Sequence, residues 1–326
     1  MHGASRRRLL QGGSYATTLL CLVTLNFAIP RLMPGDPLAA LQVGSSTTFV
    51  ADPALRDDLS RYYGLDRSVA EQYRSYLVGL VGGDLGRSIT YNRPALDLVR
   101  ERLPWTLLLV GTSMVLAGGV GVLGGIQSGW RRRTSSDAGR LTLLMSAQHV
   151  PPFVLATVAL LVFGGRLRWV PLSGARTPFA ELGAMGQVAD IAHHLVLPVS
   201  VLAIGLVADH YLLMRGAMVA ELGSDHLVLG RAKGLSDRRL KYRYAARNAL
   251  LPVVTLTGLE VGLAVTGTVF VETVFAYPGL GRLVFEAVRA HDYPVLQACF
   301  LVLTLLVVTA NAAVDLLYRR LDPRTA

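Results

Sequence analysis

The strongest constraint on the fold of this chain is a series of apolar runs that are too long for a soluble domain. A membrane-spanning helix requires about 20 mostly apolar residues, and six stretches meet that requirement. The composition agrees, because 52% of the 326 residues are hydrophobic and only 17% are charged, whereas soluble domains carry roughly 25% charged residues. We therefore predict an all-α integral membrane protein with six transmembrane helices. They span residues 9–29, 105–129, 141–163, 195–218, 250–271 and 295–317.

Clusters of arginine predict which side of the membrane each connection faces. Arginines precede the first predicted span, separate the second from the third and follow the sixth, and residues 231–252 between the fourth and fifth are strongly basic. With six spans all of these segments lie on one side, which the positive-inside rule makes the cytoplasm. We predict that both termini are cytoplasmic, that residues 31–104 form an extracytoplasmic segment, and that residues 1–326 form a single membrane domain.

The start of the chain also has features of a secretory signal. Three arginines precede an apolar run there, as they do in many signal peptides. No small-x-small cleavage pattern follows before Arg31, so we expect this segment to remain as the first span.

The basic segment between the fourth and fifth predicted spans has an internal design. The only two lysines of the chain, Lys233 and Lys241, lie in it together with several arginines. Gly234 can end one helix, because glycine readily adopts the left-handed conformation that closes many helices, and Ser236 and Asp237 can begin another. The pattern predicts a helix, a break and a second helix on the cytoplasmic face, which is a candidate docking surface for another protein.

Signatures of catalysis and cofactor binding are missing from the sequence. It has no Gly-x-x-x-x-Gly-Lys-[Ser/Thr] phosphate loop, no His-x-x-x-His or Cys-x-x-Cys metal spacing and no Gly-x-Ser-x-Gly nucleophile elbow. We therefore predict that the chain is not an enzyme and binds no cofactor or metal. For His193, His194 and His291, imidazoles at the membrane interface are favoured over a metal site. The net charge of +10 comes from cations beside apolar spans, which favours membrane lipid over nucleic acid as a partner.

Several ionisable residues fall inside or at the ends of the apolar runs. Asp209 and His210 lie in the fourth predicted span, Glu260 in the fifth, and Asp315 at the inner end of the sixth. A charge in the bilayer core is costly, so such groups face a bundle interior or a polar path. Two interpretations stay open: a substrate path, or an internal pair that fixes helix packing. Glu272, which begins the outer loop after the fifth span, is a further candidate for the substrate path.

Small residues are dense in the second and fifth predicted spans. Glycines occur at 118, 119, 121, 124 and 125 in the second, and at 258, 262 and 267 in the fifth. Such residues let helices approach closely in membranes, so we expect tight contacts along these two spans.

Short motifs along nearly the whole chain resemble those of one known family. Their order and spacing carry the resemblance more than any single motif does. The motifs are RLMPGDP at 31–37, YGLD at 63–66, GDLGRS at 83–88, LPWTL at 103–107, WVPLSG at 169–174, RAKGL at 231–235, RNALLP at 247–252, ETVFAYPGLG at 272–281 and DLLYRRLDPR at 315–324. Together they resemble the B-type inner-membrane permease subunit of the dipeptide, oligopeptide and nickel ABC importers.

The resemblance implies a type I ABC importer permease fold in the bacterial inner membrane. It implies a homologous second permease, two cytoplasmic ATPase subunits that bind ATP and Mg, and an extracytoplasmic substrate-binding protein as partners. It also implies that residues 219–249 form a cytoplasmic loop that docks on an ATPase. The residues carried over to this coupling role are Arg231, Ala232, Lys233, Gly234, Leu235, Ser236, Asp237, Arg238 and Arg239.

The chain departs from the family pattern at two places. Residues 228–230 read Val-Leu-Gly where Glu-Ala-Ala is typical, so a salt bridge from that glutamate is missing. Glu260 stands where the family more often has an uncharged polar residue, which favours a role in tuning substrate or gating.

Two other function classes compete with the importer permease. An ion-coupled secondary transporter could use Asp209, His210 and Glu260, but such proteins usually show internal repeats with interrupted spans in both halves, and no such pair is apparent. A membrane enzyme would need a nucleophile with its base, and no such set was found. We therefore expect an ATP-driven importer subunit that forms half of the path for peptides or a similar small solute.

Overall fold

The computed structural model describes residues 17, 19–38, 53–132 and 134–321. The first predicted span and the predicted extracytoplasmic segment are therefore described only in part, and the arginines at the two ends of the chain lie largely outside the described residues. The described chain is almost entirely helical. Its helices are α1 (Leu19–Leu32), α2 (Pro53–Tyr62), α3 (Val69–Gly82), α4 (Ala95–Trp130), α5 (Ser135–Gln148), α6 (Pro152–Arg166), α7 (Ala184–Glu221), α8 (Asp225–Ala232), α9 (Asp237–Val274), α10 (Leu280–Arg289) and α11 (Tyr293–Leu321).

Four helices of the described chain are long and apolar enough to cross a membrane. They are α4, α7, α9 and the Tyr293–Val314 part of α11, and they contain the second, fourth, fifth and sixth predicted spans. The described part of the first, α1, is shorter. The predicted number of six spans therefore stays a prediction.

The span predicted for residues 141–163 is not one continuous helix in the structure. The structure divides this region between α5 and α6, which are bent by 98° relative to each other. Pro151 and Pro152 explain the break, because proline lacks the N–H of the helical ladder and drives the preceding residue into an extended conformation. Pro151 itself has ψ 135°, well outside the helical region. Counted as one broken span, the pair brings the total to five.

The chain separates into two compact units. The first comprises residues 1–102 and 283–305, and the second comprises residues 103–282 and 306–326. The boundaries lie within α4, α10 and α11, so the backbone passes from one unit to the other in helical conformation.

The first unit is held together by polar contacts of its loops. Ser68 and Glu71 form a reciprocal capping box at the start of α3, and Gly83 ends that helix with φ +76°. In the extended segment that follows, the Ser88 hydroxyl donates to Asp292 Oδ2 at 2.6 Å, and the Thr90 N–H donates to the same oxygen at 3.0 Å. These bonds fix residues 88–90 against the segment that begins α11.

The second unit depends on a close approach of α4 and α7. Gly121, Gly125 and Gly129 lie four residues apart on one face of α4. A Cβ atom on Gly125 would lie 2.7 Å from Met214 Cβ and 2.8 Å from the Tyr211 carbonyl oxygen. Because no side chain fits there, the glycines set the separation of the two helices, and the tight contact expected for the second predicted span is present.

Candidate functional site

The predicted break in the basic segment is present in the structure. α8 ends at Ala232 and Gly234 adopts φ +74°. The Gly234 N–H donates to the Arg231 carbonyl at 2.9 Å, and the Leu235 N–H donates to the Gly230 carbonyl at 3.1 Å, as in a helix end closed by a left-handed residue. α9 then begins at Asp237. A short turn at residues 233–236 therefore separates the two helices.

Ser236 begins α9 through its backbone and not through its side chain. Its φ of −65° and ψ of 148° are those of an N-cap, but its hydroxyl makes no capping hydrogen bond. Its carbonyl accepts the first helical bonds, from Arg239 at 2.9 Å and Leu240 at 3.0 Å. The Ser236 hydroxyl is therefore left available on an exposed surface.

The segment 231–239 is a surface anchored from beneath. All nine residues are exposed except Leu235, which is half-buried. Directly beside it, Leu227 and Leu240 are fully buried in a cluster with Ile126, Met214 and Met218 of α4 and α7. Buried side chains therefore pack this surface against α4, α7 and α9.

Gly230 gives a physical reason for one departure from the family pattern. A Cβ atom at this position would lie 2.6 Å from Leu240 Cδ2, so an alanine here would force the leucine to move. Val228 and Leu229 next to it are exposed and apolar. Sequence reasoning missed this contact, because it joins two helices across the break.

Polar bonds tie the same end of the unit together. Arg215 donates from Nε and Nη2 to the two oxygens of Asp137 at 2.8 and 2.7 Å, which joins α7 to α5. Lys241 Nζ donates to Gln127 Oε1 at 2.7 Å, which joins α9 to α4. Lys241 therefore belongs to the framework, whereas the exposed Lys233 belongs to the surface.

His210 and Glu260 meet between α7 and α9, and each side chain is only 1% exposed. Glu260 Oε2 lies 2.9 Å from His210 Nδ1, and the same nitrogen lies 3.1 Å from the Leu206 carbonyl oxygen. Nε2 lies 3.1 Å from Thr257 Oγ1, whose own proton goes to the Val253 carbonyl at 2.9 Å.

Nε2 is placed to donate to Thr257, because the Thr257 proton is already used. Nδ1 lies between the Leu206 carbonyl oxygen and Glu260 Oε2, so the ring and the carboxyl group form a close pair. Neither Glu260 oxygen accepts an aligned hydrogen bond from a described residue, so the contact with His210 is close but not aligned as a hydrogen bond. The pair is neutral as a whole, which makes it tolerable in an apolar surrounding.

The structure does not bring all the predicted path residues together. Asp209 Oδ1 accepts from Gln148 Nε2 of α5 at 2.8 Å. Asp209 is therefore bonded to a different helix from its neighbour His210, which contacts Glu260 of α9. The Asp315 side chain lies outside the described residues. Of the two interpretations left open for His210 and Glu260, the geometry favours an internal pair that fixes packing.

Glu272 is a fully buried carboxylate near the C-terminal end of α9. Its Oε1 accepts from the Thr106 hydroxyl at 2.7 Å and its Oε2 accepts from the Arg282 N–H at 2.9 Å. Thr106 Oγ1 in turn accepts from the Leu280 N–H at 2.7 Å. A Cβ atom on Gly279 would lie 2.2 Å from the carboxylate. Glu272 and Thr106 thus satisfy the first N–H groups of α10, a partnership that sequence reasoning missed.

Comparisons with known proteins identify similar membrane transport proteins. Residues 121–326 match the family model described as binding-protein-dependent transport system inner membrane component. The chain is 38% identical over 308 residues to a putative peptide permease protein of Brucella ovis, with 94% of each chain covered. It is 33% identical over 326 residues to the di/tripeptide transport system permease protein DppB of Pseudomonas aeruginosa, with 96% of each covered. It is 34% identical over 311 residues to the oligopeptide transport system permease protein AppB of Bacillus subtilis, with 94% of each covered.

These matches cover almost the whole chain and agree with its long apolar helices. They confirm an inner-membrane, multi-pass transport subunit and not an enzyme. The chain belongs to the family of binding-protein-dependent transport system inner membrane components and is a permease subunit of an ABC importer.

Proposed function

We propose that this chain forms half of a translocation path for peptides or similar small solutes, paired with a homologous second permease. The curated relatives named for di/tripeptide and oligopeptide transport support the substrate class. Permeases of this family work with ATPase subunits and a substrate-binding protein. In the complex that we propose, two ATPase subunits hold ATP and Mg in the cytoplasm, and the binding protein delivers the solute from outside.

The observation that carries the proposal is the continuity between the surface 231–239 and the spans. α9 begins at Asp237 within this surface and continues through a π-helical stretch at Leu240–Ala245 to Val274. At 1.5 Å per residue, 38 residues correspond to about 57 Å, enough to cross a bilayer. An ATPase that moves the surface therefore moves a helix that extends to the opposite end of the unit.

The coupling role is tested by changing Gly234, whose φ of +74° is strained for other residues and whose side-chain position is open space. We expect Gly234→Arg to abolish ATPase association and to reduce ATP-driven uptake by the reconstituted complex at least about tenfold, since the strain and bulk disturb the docking surface. Gly139→Arg is the matched control, because this glycine also has open space around it but an ordinary φ. Unchanged association and uptake in Gly234→Arg would contradict the coupling assignment.

The ion-coupled alternative through Asp209, His210 and Glu260 has no support from the relatives. His210 and Glu260 neutralise each other, and Asp209 is bonded to Gln148. We therefore propose that these residues hold the helices in register and that ATP hydrolysis on the partner subunits drives transport.

A further inference from the structure

A polar cavity of about 190 Å³ lies within the first unit, apart from the coupling surface. α1, α3, the loop after α3 and the start of α11 contribute to its wall. Arg67, Ser75, Asp84 and Gly86 are its exposed lining residues, whereas Arg31 and Tyr76 are half-buried and Gln297 is buried. The cavity thus has a solvated side and a dry side that carries a positive charge.

Arg31 is held in one orientation. Its guanidinium stacks on the Phe27 ring, 3.6 Å from the ring centroid, and Nη1 donates to the Phe27 carbonyl at 3.1 Å. Nε and Nη2 donate to Gln72 Oε1 at 3.1 and 2.9 Å. Gln72 is itself fixed, because its Nε2 donates to the Arg67 carbonyl at 2.9 Å. The guanidinium therefore stays in place with further N–H donors unused.

No described carboxylate neutralises Arg31. No acidic side chain of the described chain comes within ion-pair distance of it, and Asp36 nearby is paired with Arg56 at 2.5 Å. Burial lowers the pKa of Arg31 to about 10, so the group is still a cation at neutral pH. A half-buried cation without an ion-pair partner among the described residues is costly, and an anion bound in the cavity would reduce that cost.

Tyr76 and Gln297, which line the cavity, carry two further donors. The Tyr76 hydroxyl and Gln297 Nε2 are buried and make no hydrogen bond to a described residue. Leaving a buried donor unpaired is unfavourable. A cation, a hydroxyl and an amide N–H together form a set that suits an acceptor with negative charge.

We propose that this cavity is a binding site for the carboxylate group of a small solute, with Arg31, Tyr76 and Gln297 as its ligands. Guanidinium groups bind carboxylates through paired hydrogen bonds, and the hydroxyl and amide are further donors. The inference rests on the proposed function: if the transported solute is a peptide, the bound group is its C-terminal carboxylate. Residues 31–104, which supply most of the wall, are the segment that we expect on the side of solute delivery.

The test uses the complete transporter in nanodiscs, without the binding protein, and L-alanyl-L-alanine as the probe. Saturation-transfer NMR gives the dissociation constant of the dipeptide. The same dipeptide with an amidated C-terminus shows how much the carboxylate contributes to binding. We expect the amide to bind at least about tenfold more weakly, as expected for loss of charge-assisted hydrogen bonds. Arg31→Gln and Gln297→Glu are expected to weaken dipeptide binding to a similar degree.

Tyr76→Phe separates binding from folding. The variant deletes a buried hydroxyl that has no partner, so its thermal stability is expected to be equal or higher while dipeptide binding weakens. Arg74→Gln is the matched control, since Arg74 is exposed on the same helix and does not line the cavity. It is expected to bind like the parent chain.

The possible outcomes are distinct. No saturable dipeptide binding, equal binding of the amide, or parent-like binding by Arg31→Gln would overturn the cavity site, whether water or an acidic side chain of a partner fills it instead. ATP-driven dipeptide uptake with the binding protein present tests the proposed function separately. Uptake without cavity binding refutes only the inference, and binding without uptake of any peptide refutes only the proposed function.

Discussion

At the scale of single residues, His210 and Glu260 show how ionisable side chains are accommodated in an apolar helix bundle. Each is nearly inaccessible to solvent, and each faces the other across α7 and α9 at 2.9 Å. Removing one partner of a buried pair leaves the other uncompensated, which is far more costly than removing both. The two residues should therefore behave as one unit.

A double-mutant cycle measures this coupling. We expect Glu260→Gln to lower the stability of the purified complex by about 3–5 kcal/mol, the range for breaking a buried pair, with a corresponding fall in its thermal unfolding midpoint. The double variant His210→Gln/Glu260→Gln should lose less stability than the sum of the losses in the two single variants. Asp209→Asn is the control, because Asp209 is only part-buried in its bond to Gln148. Strictly additive losses would contradict the pair.

At the scale of helices, hydropathy located the spans but not their breaks or contacts. α4, α7, α9 and α11 contain four predicted spans, since long apolar runs have few other solutions in a membrane. The 98° bend at Pro151 was missed because an average over 20 residues does not register two prolines. The partnership of Thr106 with Glu272 was missed because it depends on how two distant helices align.

The glycine face of α4 is tested by paired substitutions on that helix. Gly125→Ala should destabilise the chain by about 1–3 kcal/mol, as overpacking does, because its Cβ would lie 2.8 Å from the Tyr211 carbonyl oxygen. Gly119→Ala has open space around it and should be neutral or stabilising by up to about 1 kcal/mol, the helix propensity gain. Thermal unfolding of the two variants should shift in opposite directions, and a shared direction would count against the close approach.

At the scale of the whole molecule, the surface 231–239 and the cavity lie in different compact units. The surface 231–239 belongs to the second unit and Arg31 to the first. The sequence predicted the helix break at Gly234, because a glycine break is a local feature. The cavity was not predicted, because Gln297 lies more than two hundred residues along the chain from Arg31 and Tyr76.

The proposed orientation is tested by cysteine labelling. Lys233→Cys and Phe179→Cys each introduce an exposed thiol, the first on the proposed cytoplasmic surface and the second in the loop before α7. A membrane-impermeant maleimide should label Phe179→Cys in intact spheroplasts and Lys233→Cys only in inverted vesicles. The parent chain, with Cys21 and Cys299, gives the background. Labelling of both variants from the same side would refute the proposed topology.

The continuity of α9 also restricts how chain length can change during evolution. Each residue inserted into a helix rotates everything beyond it by about 100°. An insertion between residues 246 and 271 would therefore turn Glu260 away from His210 or carry Glu272 away from Thr106. The irregular stretch 167–183 has no such register to keep. Insertions and deletions among relatives should be frequent in residues 167–183 and rare in α9.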